Sequence, residues 1–182
     1  GKRFPDRNTW GGMSPGEKSQ AISLCMNIYE DIVSRYRWDA LAVYWPWSDP
    51  DGVRAAKQTF GEDLAIGGMV GNGVISIDNI SDWMAFSLQL LEDPASVHAS
   101  AEQKCMDALA LIDRLVEAGA DFIFMPSDVA FNAGTFISPD HFGEFVAPYW
   151  RRLVDRVKQH GAIAFIHTDG QIMPISRPEG CW

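Results

Sequence analysis

The sequence predicts an α/β protein built on a parallel sheet, either an open doubly wound sheet or a (β/α)-barrel, and three observations carry that prediction. Short apolar runs without strict alternation recur at 39–45, 63–70, 121–126 and 162–167, the pattern of strands covered on both faces. Helical patterns separate the runs, and parallel neighbours need such crossovers. The composition is globular, with 182 residues of which 47% are hydrophobic and 12% aromatic, enough for one buried domain. A complete barrel takes about 250 residues, so this length supplies only part of one, about four to five βα units.

The elements follow in order. Residues 1–13, GKRFPDRNTWGG and Met13, read as an irregular loop. Ser14-Pro15-Gly16-Glu17 then combines a serine cap, a proline suited to the first turn and a glutamate three residues past the cap, which is a capping box. The helix it starts should run to about Tyr36, with Ala21, Leu24, Ile28 and Ile32 on its core face and Cys25 beside them. A strand at 39–45 ends in a loop rich in Pro, Trp and Asp. A short helix at 51–60 leads to a second strand at 63–70 and the turn Gly71-Asn72-Gly73. Over 79–91, Ile80, Trp83, Met84, Leu88 and Leu91 recur at helical spacing, and Glu92-Asp93-Pro94 ends that pattern. A long helix with Cys105, Leu109, Ile112 and Val116 on its core face should close at Gly119, a left-handed cap.

The third strand at 121–126 opens into a loop from Ser127 to Ile137. A helix begins at Ser138-Pro139, carries Phe142, Phe145, Tyr149 and Leu153 inward, and should kink at Pro148. It ends at His160-Gly161 and delivers the fourth strand. Residues 176–182 follow neither periodicity and read as an irregular or truncated end, so the chain reads as a fragment forming one partial domain over 1–182.

Charge and cysteine usage exclude whole classes of function. The formal charge is −9, from 24 acidic against 15 basic residues, and no basic run exists to neutralise a phosphate backbone, so nucleic acid is not the expected partner. Cys25, Cys105 and Cys181 are odd in number and widely spaced, which suits neither a disulfide framework nor a zinc ribbon and fits a reducing cytoplasm. The first residues lack the apolar core of a signal peptide, and no stretch approaches the ~18 apolar residues of a spanning helix.

Four segments resemble the uroporphyrinogen decarboxylase-like superfamily. SPDHFGEFVAPYW at 138–150 is similar to a helix of that family, and HTDG at 167–170 resembles the HxCG or HxDG turn of its corrinoid-linked methyltransferase branch. EAGAD at 117–121 and EDP at 92–94 fit the same pattern. The resemblance implies an incomplete (β/α)8 TIM barrel with its active site at the carboxyl ends of the strands. It implies an enzyme that moves a methyl group to or from a corrinoid on a partner protein, with zinc held by the turn. The family histidine maps onto His167. The family cysteine maps onto Asp169, which replaces a thiolate by a carboxylate and leaves a harder nitrogen and oxygen site. Two alternatives stand beside it. One is a uroporphyrinogen decarboxylase of tetrapyrrole (heme) biosynthesis, which needs no metal and grips its substrate through an arginine-rich segment that this sequence does not show. The other is an inactive or binding-only barrel fragment.

The candidate site residues follow from position on the strands. His167 and Asp169 sit two apart at a strand end, so their side chains share a face and can meet one metal or substrate; the plainer reading is a loop bond and a turn cap. Asp128 follows the third strand and suits an acid, a base or a grip on a cation, or else a turn. Asn132 shares its loop. Asn72, in the glycine-rich turn, stands where backbone N–H groups approach an anion, or in an ordinary turn. Trp45 and Trp47, with Asp49, would wall a cofactor or an aromatic methyl donor, or pack beneath a neighbouring loop. His98, His141 and His160 read as solvent-facing or capping.

Overall fold

The computed structural model describes residues 4–46, 49–71 and 75–176. Its elements are α1 (Arg7–Gly12), α2 (Pro15–Tyr36), β1 (Ala40–Val43), α3 (Pro50–Phe60), β2 (Ala65–Met69), a 3-10 turn (Ile77–Asn79), α4 (Trp83–Glu92), α5 (Pro94–Glu117), β3 (Phe122–Pro126), β4 (Ala130–Phe131), β5 (Gly134–Thr135), α6 (Pro139–Phe145), α7 (Ala147–Gln159) and β6 (Ile163–His167). Four strands form one parallel sheet in the order β1, β2, β3, β6, and β4 pairs with β5 in a small antiparallel hairpin. Sequential parallel strands joined by helices are the repeating unit of a (β/α)-barrel, and an open doubly wound sheet would instead reverse its strand order at a switch point. The described sheet holds half of the eight strands of a closed barrel.

The two sheet faces differ as strand alternation requires. Leu41, Val43, Ile66, Ile123 and Met125 face the helices and are buried. On the concave face, Gly67 lies opposite Phe122, and a Cβ at Gly67 would come within 2.1 Å of the Phe122 ring. Only glycine leaves room for that ring, which packs edge-on against Phe165 at 5.5 Å between centroids. The edge strand β6 remains open on this side, with Ile163 60% and Phe165 49% exposed. Outside it, a groove of about 670 Å³ runs between the strand and α7, lined by Val154, Ala164, Ile166 and Ile172 among others. A closed barrel seats its neighbouring βα unit against such a strand.

Local chemistry explains the helix starts. Ser14 and Glu17 cap each other's backbone at α2, and Asp49, Asp82, Asp93 and Ser138 accept the first amides of α3, α4, α5 and α6. Residues 7–12 are helical rather than irregular, because Asp6 accepts the Thr9 amide at 2.7 Å and so caps a first turn. At Pro148 the chain forms two helices instead of one kinked helix. Proline has no N–H and crowds the carbonyl four residues back, so α6 stops at Phe145, Val146 takes a non-helical conformation, and Pro148 falls in the first turn of α7.

Two helix faces differ from expectation. On α2, Cys25 and Met26 are buried and Ile22, Tyr29 and Val33 pack against the core, whereas Ile28 is 39% exposed. Both stripes have helical spacing, and packing against the neighbouring helix α3 selects the second. On α4, Phe86 and Leu90 turn inward while Met84, Leu88 and Leu91 are exposed. Its sequence WMAFSLQLLE is apolar on nearly every side, so periodicity alone selects no face. In α5 the expected face holds, with Cys105, Leu109 and Ile112 buried and Val116 partly so.

Candidate functional site

The carboxyl end of β6 brings the principal candidates together. Pro126 pairs with His167 as the last rung of the β3–β6 ladder, and beyond it the chain turns sharply through Thr168, Asp169 and Gly170. His167 Nε2 stands 3.7 Å from Asp169 Oδ1, with 47% and 81% of the two side chains exposed. That separation is too long for a hydrogen bond and short enough for an ion pair when the imidazole is protonated. The ring also lies beside Phe124, 5.7 Å between centroids, which gives one side of the pair an apolar wall.

The loop after β3 reaches this turn through polar contacts. The Asp169 amide donates to Asp128 Oδ1 at 3.0 Å, and the Val129 amide donates to Thr168 Oγ1 at 3.1 Å. The carbonyl of Asp128 accepts the Ile77 amide at 2.9 Å, so this residue links the ends of β2, β3 and β6. Asp128 therefore joins the His167–Asp169 site. Asn132 lies in the same loop, exposed between β4 and β5.

Trp45 is not brought to that site. It follows β1, on the opposite edge of the sheet, and three strand spacings put about 14 Å between the two edges. Its ring packs against Phe4 and Trp10, both at 5.0 Å, while the Trp10 indole donates to Asp49 at 3.2 Å. Packing beneath a neighbouring segment, one of its two expected readings, describes its surroundings. Asn72 and Trp47 lie outside the described residues, as does Cys181. His98 meets the Tyr149 hydroxyl at 2.9 Å and His160 meets Asp113 at 2.7 Å, so both are engaged with side chains of the helical layer. Burial pushes the Cys25 and Cys105 thiols up, which suits core residues rather than nucleophiles.

As a metal site the arrangement offers one imidazole nitrogen and one carboxylate oxygen. An ion about 2.1 Å from each donor can span a pair up to about 4 Å apart, so the 3.7 Å separation fits a shared ion. Among the described residues no group of three His, Cys, Asp or Glu side chains converges, and a catalytic zinc takes three protein ligands. The pair by itself offers two donors, one fewer than that number. Thr168 and Gly170, which shape the turn, escaped the sequence reading. Their signal was the tetrapeptide itself, since a hydroxyl and a glycine flanking an aspartate mark a tight turn.

A parallel sheet in sequential order with polar groups gathered at its carboxyl ends defines the (β/α)-barrel class of protein. The model of the family described as Uroporphyrinogen decarboxylase (URO-D) matches residues 51–178. The chain belongs to that family. Among solved structures it is similar to a methyltransferase from Methanosarcina mazei, with a TM-score of 0.56 and 20% identity over 69% of this chain and 36% of that one. That likeness shows the shared fold, and the chain spans little more than a third of that protein's length. No curated protein sequence matches the chain. No helix among the described residues is long and apolar enough to cross a membrane.

Proposed function

We propose that this protein is an enzyme of the methyltransferase branch of its family, moving a methyl group to or from a corrinoid carried on a separate protein. His167 and Asp169 are the chemical pair, and Asp128 assists them. The observation that carries this reading is the 3.7 Å approach of His167 Nε2 to Asp169 Oδ1 at the carboxyl end of β6. The fold shared with the Methanosarcina mazei methyltransferase supports it. In this reading His167 and Asp169 hold zinc, and zinc, when bound, lowers the pKa of a coordinated thiol or water and so supplies a nucleophile at neutral pH. The protein's own part is to present the two donors on one rigid turn, with Phe124 limiting water on one side of the imidazole.

Charge weighs against the decarboxylase reading. The loops at the carboxyl ends, 44–50, 70–82, 127–138 and 168–176, contain Asp49, Asp78, Asp82, Asp128 and Asp169 and no lysine or arginine. A tetracarboxylated tetrapyrrole would approach a field of its own sign. The test is zinc content after loading and dialysis, compared between wild type and His167→Ala, together with the spectrum of methylcobalamin incubated with each. Zinc retained by wild type and lost by the variant, with demethylation of the cobalamin only by wild type, supports the proposal. Equal zinc in both removes the metal. Tight binding of uroporphyrinogen with no effect on methylcobalamin would replace the proposal with the decarboxylase, and no effect of either compound would favour a binding-only barrel.

A further inference from the structure

We propose that Asp128 and Thr168 are positioning residues that hold the Asp169 carboxylate against His167, and that Asp128 does so as a hydrogen-bond acceptor and not as an acid or base. The proposal rests on the reading of His167 and Asp169 as the chemical pair. It is argued from the way two loops are joined. Beyond the last paired rung at Pro126 and His167, the segments after β3 and β6 continue to bond amide by amide. Ser127 donates to the His167 carbonyl at 2.8 Å and Gln171 donates to the Phe131 carbonyl at 3.0 Å. Between these two backbone bonds the acceptors are side chains. Val129 donates to Thr168 Oγ1, and Asp169 donates to Asp128 Oδ1.

The substitution of side chains for carbonyls has a geometric cause. The chain bends away from strand geometry at Gly170, whose φ of +89 disfavours any other residue. A Cβ there would lie 2.7 Å from the carbonyl oxygens of Ala130 and Phe131, so the turn lies directly on the backbone of β4. A turn this close has lost the regular ladder, and its amides need acceptors that reach out from the facing loop. Asp128 is placed to reach because its own carbonyl is anchored by the Ile77 amide. Thr168 bonds in both directions, accepting from Val129 and donating to the Asp169 carbonyl at 3.2 Å. The peptide on either side of Asp169 is therefore held, which fixes the point from which its exposed carboxylate projects beside the imidazole. Charge-assisted bonds to a backbone amide are the stronger kind, and one of the two Asp128 oxygens is committed to this one.

Asp128→Asn separates positioning from proton transfer, because the amide keeps an oxygen acceptor at the same place and loses the titrating group. The experiment measures exchange of the Asp169 and Val129 amide protons by NMR, and zinc affinity, in wild type, Asp128→Ala, Asp128→Asn, Thr168→Ala and Thr168→Ser. Loss of a bond to a charged acceptor should speed Asp169 exchange about tenfold or more in Asp128→Ala. Asp128→Asn should restore most of that protection. Thr168→Ala should expose the Val129 amide and Thr168→Ser should restore it. Zinc affinity should fall in the two alanine variants and recover in the two conservative ones. The proposal is overturned if Asp128→Ala leaves Asp169 exchange unchanged, or if Asp128→Asn exposes that amide as fully as alanine does. If wild type takes up no zinc, the metal reading of the function fails by itself, and the exchange pattern decides the positioning roles.

Discussion

At the amino end of β3, Asp121 accepts from Lys57 Nζ at 2.9 and 3.1 Å and from the Ile66 amide at 2.8 Å. At the carboxyl end of the same strand, Asp128 accepts one amide, that of Asp169, at 3.0 Å. Both aspartates bind a neighbouring strand to β3, yet the surroundings separate their uses. Asp121 meets a permanent cation, so its charge is neutralised locally and the contact closes the base of the sheet. Asp128 meets only an amide dipole, next to a second carboxylate and an imidazole, and among the described residues the segments 44–50, 70–82, 127–138 and 168–176 hold no lysine or arginine. One end of the sheet is arranged to be stable, and the other retains unneutralised charge that a ligand can use.

The largest expected effect tests the centre between these ends. Ile123, fully buried in β3, when changed to Ala should cost about 2–5 kcal/mol, measured by urea unfolding. A loss under ~1 kcal/mol would mean that the sheet is not the core. Next, Asp121→Ala removes an ion pair and an amide acceptor, and with 39% of its side chain exposed the discounted cost is about 1–2 kcal/mol. No measurable loss would break the contrast drawn for the base of the sheet.

Alkaline pH gives a third test. Burial pushes the Tyr29 phenol from 10.0 up to about 12, and the hydrogen bond with Asp121 raises Lys57 above its ordinary value of 10.5. Both folded values lie above the unfolded ones, so each contribution is complete below the unfolded value and disappears as pH rises through the folded one. The melting temperature should therefore fall between pH 10 and about 12, and Tyr29→Phe should make that fall shallower. An unchanged slope in the variant would place the alkaline loss elsewhere.

The smallest stability effect belongs to the mouth. Asp169→Cys, at a side chain 81% exposed, should change unfolding free energy by less than about 0.5 kcal/mol. Zinc affinity should nevertheless tighten about tenfold or more, because a thiolate is the softer ligand. A variant that loses stability without gaining zinc would show that the turn serves packing and not ligands.

Much of the fold was legible in the sequence because short-range rules governed it. The capping box at Ser14, the proline at the start of α6 and the apolar run from Phe122 to Pro126 each state their own structure within a few residues. His167 and Asp169 were legible for a similar reason, since alternation past a strand end places residues two apart on one side. The faces of α2 and α4 were not, because each helix offers more than one apolar stripe and the neighbouring elements select among them. Nor was the setting of Trp45, whose ring partners Phe4 and Trp10 lie more than thirty positions away in the chain.

By itself, then, the sequence determined the alternation of strands and helices, the family and the pair at the end of the last strand, all of which depend on neighbours in the chain. Only the tertiary structure decided that Asp128 meets the Asp169 amide across 41 positions and that Gly170 lies on the backbone of β4. Such contacts depend on how far two loops project from adjacent strands, and no local pattern encodes that distance.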